Sequence, residues 1–247
     1  LRSIWSDCVG WIPGGVRLGY VNFFAQVRAV NLGLPVNRRI RVWLGDPPID
    51  WSKVRTKADW LALVHQRDIY TAALIEREIL SKGRKVLVIY GGEHFYANSQ
   101  NAGPLPNLGP LLQQKHPGAL FIVTPYAGFN EKSCSLAFER RASAWPVPAF
   151  VPVLGTPLKD ALRAPGCHTA PAGSPGWEDD HFSGAAGDAL LYLGPAKSLS
   201  LSPVLPGIYT DGAYRAEMSR RYEIIIGKPL SGATVDSNPA AGQPLRP

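Results

Sequence analysis

The chain has 247 residues, of which 45% are hydrophobic and 18% charged, and this composition excludes an intrinsically disordered protein and allows one large packed domain. The net charge of +7 is scattered over short basic pairs with no aromatic residues interleaved, which argues against a nucleic-acid-binding protein. No apolar run approaches the roughly 20 residues that span a bilayer. We expect a small-molecule ligand or substrate as the partner, and the sequence indicates no oligomeric state.

The cysteines Cys8, Cys134 and Cys167 lie far apart and form no CxxC pair, which excludes a zinc ribbon and a thioredoxin motif. Their odd number permits one disulfide with one thiol left over, so the redox compartment stays open. No signal peptide is visible, and the chain begins at Leu1 rather than Met, so we expect that an amino-terminal segment was removed or is not included. We expect a soluble protein and lean to an extracytoplasmic location.

The first part of the chain alternates between helix and strand patterns. Tyr20–Leu32 keeps apolar residues at a spacing of three, which predicts a helix that Gly33 ends. Arg39–Leu44 alternates apolar and polar residues as a strand does, and the prolines after Asp46 end it. Thr56–Ser81 carries a long apolar stripe and an approximate capping box at Thr56, which predicts the longest helix of the chain.

Further along, Lys85–Tyr90 and Ala119–Thr124 are continuous apolar runs that are typical of strands buried on both faces. Asn107–Lys115 between them predicts a short helix. Ala189–Leu193 predicts another strand, and Asp211–Tyr222 predicts a helix that carries its apolar residues on one side.

This order of elements predicts an α/β fold with a mainly parallel sheet, flanking helices and long Pro/Gly-rich loops. Arg39–Leu44, Lys85–Tyr90 and Ala119–Thr124 should be parallel neighbours or near neighbours. We expect a single α/β domain over residues 1–228, lacking an amino-terminal segment if the chain is a fragment, and a flexible carboxyl-terminal tail over residues 229–247.

Ligands of an open parallel sheet bind outside the carboxyl ends of its strands. This rule selects Asp46 after the first predicted strand, Glu93 and His94 after the second, and Tyr126 after the third. We expect Asp46 and His94 to open into one common cleft.

The segment GGEH offers the most chemistry. Gly91 and Gly92 let the backbone turn sharply and leave room for a ligand. His94 suits a general base or a metal ligand, and Glu93 suits a group that orients it or an acid. The alternative is a turn in which His94 caps a neighbouring backbone group.

Two acidic residues admit both structural and functional roles. The carboxylate of Asp46 could bind a cation or hold a histidine in one tautomer, or it could form an Asx turn before the prolines. Asp68 falls on the apolar stripe of the long helix, so it must be paired if it is buried, and a structural salt bridge is the alternative there. The sequence contains no GxSxG elbow, GxGxxG fingerprint, P-loop or HExxH motif.

The stretch Gln66–His94 resembles the second half of a superfamily that joins erythromycin esterases, ChaN-like haem-uptake proteins and TraB/Tiki proteins. In that superfamily a helix containing Arg-Asp precedes an apolar strand that ends in Gly-x-x-His. Arg67, Asp68, Gly91 and His94 match this pattern residue by residue. Members also carry an earlier Gly-x-x-His-like motif, which this chain lacks before Asp46.

The resemblance implies a hydrolase with a site at the carboxyl ends of the strands. His94 would be the base or a metal ligand, Glu93 and Asp46 would orient or ligate, and Arg67 would stabilise an anion or the transition state. The sequence leaves the cofactor open, with a divalent metal as one candidate and haem as the alternative. The alternative is a non-catalytic protein that binds a ligand or haem, with His94 or Tyr126 as axial ligand. The remaining ligand-binding residues would be Gly91, Gly92 and Asp68.

Overall fold

A computed structural model describes residues 18–95, 106–129, 131–153, 155–159, 167, 187–200, 202 and 211–230. The expectations for Cys8 and for the carboxyl-terminal tail beyond Leu230 lie outside these residues.

Helices dominate the described part of the chain. They are α1 (Leu18–Leu32), α2 (Lys57–Val64), α3 (Arg67–Glu78), α4 (Leu108–Lys115), α5 (Lys132–Ala142) and α6 (Gly212–Ile226). Three short strands accompany them, β1 (Val123–Pro125), β2 (Ala149–Pro152) and β3 (Ala189–Tyr192). The predicted helices at Tyr20–Leu32, Asn107–Lys115 and Asp211–Tyr222 are therefore confirmed to within a few residues, as is the strand at Ala189–Leu193.

The sheet is small and mixed, with strand order β1-β3-β2. β1 runs parallel to β3, with Val123 opposite Ala189, whereas β2 runs antiparallel to β3, with Ala149 opposite Tyr192. Its residues contribute to an aromatic cluster that includes Tyr126, Phe138 and Tyr192. The expectation of a mainly parallel sheet was wrong.

Two of the three expected neighbours in that sheet are not strands. Arg39–Leu44 and Lys85–Tyr90 form no ladder with any described residue, and Ala119–Thr124 contributes only its last two residues to β1. Apolar side chains of both segments, such as Ile40 and Leu87, are exposed. An apolar pattern fits a strand, but a strand forms only where another backbone supplies hydrogen bonds.

The predicted long helix is two helices separated by His65 and Gln66. Its amino terminus is as expected, because the Thr56 side chain accepts from the Asp59 backbone N–H and the Asp59 carboxylate accepts from Thr56. The backbone N–H of Gln66 bonds the carbonyl of Leu63, a tightened last turn that ends α2.

The described residues divide into two compact units. The first holds the residues up to Arg67 and from Ser200 onward, and the second holds Asp68 to Leu199. In the first unit Trp51 and Val54 pack with Met218 and Ile225 of α6. This division does not test the expectation of a single domain over residues 1–228, which stays a prediction.

The second unit contains the aromatic cluster of the sheet and a separate apolar cluster. Ile75 of α3 packs there with Leu108 and Leu112 of α4, and Tyr90 and Phe95 pack against them. This second cluster supports the segment that carries His94.

Candidate functional site

His94 lies in a short 3₁₀ helix, Gly92–Phe95, of the second unit. Its backbone N–H donates to the carbonyl of Gly91 at 3.1 Å. The turn presses against α4 at Gly109, where a Cβ would lie only 2.7 Å from the carbonyl oxygen of Phe95. Glycine is therefore required at this contact, and it lets α4 support the turn directly.

The imidazole of His94 faces the carboxylate of Asp68 on α3. Nδ1 lies 2.6 Å from Oδ1, and the side chains of His94 and Asp68 are 27% and 10% exposed. Oδ1 is buried, yet no N–H points at it with good hydrogen-bond geometry. The short distance without good alignment makes this a close contact between a ring nitrogen and a carboxylate oxygen rather than a well-formed hydrogen bond. Asp68 is thus buried beside a basic group, as its place on an apolar stripe demands.

Tyr90 supports the other side of this arrangement. Its ring centroid lies 4.3 Å from that of His94, and its hydroxyl lies 3.4 Å from the hydroxyl of Thr71. Thr71 follows Asp68 by three residues, so both occupy the same face of α3 one turn apart. One helical face therefore contacts both rings of the Tyr90–His94 segment.

The second ring nitrogen of His94, Nε2, does not face Asp68. Nε2 has no hydrogen-bond partner among the described residues, and the side chain is partly exposed. Because Nδ1 faces Asp68, Nε2 lies on the far side of the ring.

Asp46 and Arg67 form an ion pair, which belongs to the first unit. The Arg67 Nε donates to Asp46 Oδ1 at 2.6 Å, and both side chains are largely buried. The carboxylate of Asp46 therefore neutralises the guanidinium of Arg67. The expected common cleft of Asp46 and His94 stays a prediction, as do the catalytic roles assigned to Asp46 and Arg67.

Neither Asp46 nor His94 follows a strand of the sheet, because Arg39–Leu44 and Lys85–Tyr90 are not strands. His94 is positioned by α3, α4 and its own turn instead. Gly91 and Gly92 precede it as expected, and Glu93 lies within the same turn.

Tyr126 does follow a strand, but its side chain points into the protein. It is 1% exposed and its hydroxyl donates to Glu139 Oε1 at 2.9 Å. Burial and the hydrogen bond to Glu139 raise the pKa of Tyr126 far above its usual range. The phenolate that binds haem iron is therefore strongly disfavoured, and Tyr126 does not fit the axial-ligand role.

The described residues around His94 do not form a metal centre either. The described residues contain no group of three or more His, Cys, Asp or Glu side chains that could hold a metal ion. Asp68 and His94 supply two donors, whereas a zinc site in a protein uses three or four. Their facing atoms are 2.6 Å apart, which leaves no space for an ion between them.

Sequence reasoning missed Thr71, Tyr90 and Gly109. The spacing of three between Asp68 and Thr71 was visible, but a threonine on an apolar stripe is unremarkable by itself. Gly109 contacts Phe95, but no motif or periodicity in the sequence connects these two segments, so the contact could not be predicted.

The chain was compared with protein-family models, with curated proteins and with solved structures, and none of them matches it. The assignment of function therefore depends on the geometry of the site.

Proposed function

We propose that this protein is a hydrolase of the esterase type in which His94 is the general base and Asp68 orients it. The observation that carries the proposal is the contact between Nδ1 of His94 and the buried Oδ1 of Asp68 at 2.6 Å. A buried carboxylate that faces one imidazole nitrogen leaves the other one basic and fixed in direction.

The chemistry requires only water and an ester. Nε2 of His94 takes a proton from a water molecule while the water oxygen attacks the ester carbonyl carbon. The carboxylate of Asp68 stabilises the imidazolium that forms. When the carbon–oxygen bond to the leaving group breaks, Nε2 returns the proton to the departing alkoxide, so the products are an acid and an alcohol.

The test is hydrolysis of p-nitrophenyl esters by the full chain and its variants. Loss of a general base typically lowers the rate by about 10²- to 10⁴-fold, so His94→Ala should fall in this range. Asp68→Asn should also lower the rate, because it removes the charge that stabilises the imidazolium.

His116→Ala is the matched control. His116 also contacts a carboxylate, that of Glu76, but it has no place in the proposal. Activity that survives in His94→Ala, or that falls equally in His116→Ala, would refute the role of His94. Thermal melts of all three variants separate lost chemistry from lost folding.

Haem binding is the competing function, with His94 as the axial ligand. A Soret band that appears on haem addition and disappears in His94→Ala, in a protein without esterase activity, would favour it. Tyr126→Phe should leave such a band unchanged, because Tyr126 is buried and bonded to Glu139.

We also propose an extracytoplasmic location. Cys134 and Cys167 form a disulfide, and disulfides persist mainly in oxidising compartments. No helix among the described residues has the length and apolar character that crossing a bilayer requires. Thiol labelling of the protein in its native source tests the proposal, and labelled Cys134 would contradict it.

A further inference from the structure

The segment Leu18–Leu44 of the first unit exposes an unusual amount of apolar surface. Ten of the nineteen large apolar side chains exposed among the described residues lie in it. Leu32 and Val36 are the most open of the ten, at 72% and 78%. Exposed apolar side chains in this number within one short segment suit an interaction surface.

The charges of the Leu18–Leu44 segment all have one sign. They are the exposed arginines Arg28, Arg38, Arg39 and Arg41. The sequence contains no Asp or Glu between Asp7 and Asp46. The segment therefore combines exposed apolar side chains with a net positive charge of its own.

Local contacts give this segment a fixed form. The side-chain amide of Asn31, near the end of α1, bonds both backbone groups of Ile40, at 2.9 and 2.7 Å. Arg39 Nε donates to the carbonyl of Leu34 at 3.1 Å. The extended residues after the turn are thereby held to the helix, and α1 itself is tied to Ser202 through the backbone N–H of Gly19.

We propose that the Leu18–Leu44 segment docks on the surface of an anionic lipid bilayer. Anionic headgroups attract arginines, and the boundary with the acyl chains accepts Leu, Val, Ile and Trp side chains. Nucleic acid would match the charge but offers little surface to aliphatic side chains such as Leu32 and Val36. The described helix α1 has 15 residues, fewer than the roughly 20 that a bilayer-spanning helix needs.

Vesicle flotation of the full chain tests this proposal. The protein should float with phosphatidylcholine vesicles that contain about one-third phosphatidylglycerol and should stay behind with phosphatidylcholine alone. About 1 M salt should weaken the binding, because the Debye length then falls to about 3 Å.

Two pairs of variants separate the contributions of apolar contact and charge. Leu32→Ser with Val36→Ser should lower the affinity about tenfold or more, because both side chains would leave the acyl boundary. Arg28→Gln with Arg38→Gln should lower it about fivefold for each charge at low salt. All four side chains are exposed, so folding should be preserved.

Leu87→Ser and Lys85→Gln are matched controls outside the segment. Leu87 is 79% exposed, like Val36, and Lys85 is an exposed cation. Both variants should bind as the unchanged protein does. Failure of the unchanged protein to float with anionic vesicles would overturn the proposal, as would equal losses in the controls. Self-association in buffer that the Leu32→Ser/Val36→Ser variant abolishes would assign the surface to a second copy instead.

Discussion

The position of His94 depends on one residue that carries no functional group. Gly109 in α4 lies so close to Phe95 that an added Cβ would be 2.7 Å from its carbonyl oxygen and 2.8 Å from its Cα. Both atoms belong to the backbone, so the whole turn would have to shift. Asp68 and Thr71 stay on α3, so such a shift would move His94 relative to its carboxylate.

Gly109→Ala should therefore destabilise the protein, although alanine favours helices by about 1 kcal/mol over glycine. We expect a net loss of about 1 to 3 kcal/mol in the free energy of unfolding, which is typical of overpacking. Any activity that depends on His94 should fall as well. Urea denaturation measures the first effect and ester hydrolysis the second.

Gly212→Ala is the matched control for this substitution. Gly212 begins α6, and nothing lies within 4 Å of the Cβ that alanine would add. Alanine there should leave stability unchanged or raise it by about 0.4 to 1 kcal/mol. Equal stability of Gly109→Ala and the unchanged protein would show that the turn can yield.

For single residues, the sequence was informative where a side chain has a clear physical requirement, such as the need of a buried carboxylate for a polar partner. Asp68 lies on an apolar stripe and so needed a polar partner if it was buried; it is buried, and the imidazole of His94 faces it. The sequence could not identify His94 as the partner of Asp68, because 25 residues separate the two and no local pattern connects them. Gly109 could not be recognised at all, since its role depends on what contacts it.

Among the helices and strands, α2 has the amino terminus that the sequence predicts most clearly, because Thr56 and Asp59 form a capping box. The hydroxyl of Thr56 accepts from Asp59 N–H at 3.2 Å, and the Asp59 carboxylate accepts from Thr56 N–H at 2.8 Å and Arg55 N–H at 3.0 Å. These hydrogen bonds lower the pKa of Asp59, the one from Arg55 most. The two side chains satisfy backbone donors that the helix cannot bond itself.

Thr56→Ala should cost about 1 kcal/mol in the free energy of unfolding, because the Asp59 N–H loses its acceptor. Thr56→Ser keeps the hydroxyl and should recover most of the loss. Chemical denaturation of both variants and of the unchanged protein measures these free energies of unfolding. A serine variant as unstable as the alanine variant would mean that the threonine methyl group, not the cap, is responsible.

Two predicted strands do not form, whereas the predicted long helix forms as two helices and α5 was not predicted. Helices such as α1, α4 and α6 satisfy their hydrogen bonds internally, so local pattern and capping residues suffice to predict them. Arg39–Leu44 and Lys85–Tyr90 have strand-like patterns, but a ladder depends on a distant partner that the pattern does not name.

For the molecule as a whole, the first unit joins distant parts of the chain. Arg220 on α6 donates to the backbone carbonyls of Trp51 and Val54 at 2.9 and 3.3 Å, and Arg221 lies over the Trp51 ring at 4.5 Å. Glu217 accepts from both arginines. No sequence period connects residues separated by 169 positions, as Arg220 and Trp51 are, so the two compact units could not be predicted.

Glu217 makes the stability of these contacts between α6 and the Trp51–Val54 segment sensitive to acid. Hydrogen bonds from Arg220 first, and from Arg221, lower the pKa of Glu217 from 4.5 to about 2. The stabilisation is fully present above pH 4.5 and is lost as the pH falls through about 2, because the folded state then has to protonate the carboxylate. Partial exposure of Glu217 and its screening by solvent reduce the effect.

The measurement is the free energy of unfolding between pH 5 and pH 2, compared between the unchanged protein and Glu217→Gln. The difference in stability between the two should shrink as the pH falls. Glu223→Gln, an exposed change on the same helix, should run parallel to the unchanged protein. A constant difference between Glu217→Gln and the unchanged protein would mean that Glu217 contributes no charge-dependent stability.

The bond between Cys134 and Cys167 closes a covalent ring across 33 positions of the chain. A protease that cuts the backbone once inside this ring produces two polypeptides that remain a single molecule. Such a cleaved form would have the mass of the intact chain plus one water under non-reducing conditions, and would separate only after a thiol is added. An electrophoresis gel run without reductant would therefore report an uncut protein even after complete cleavage at one such site.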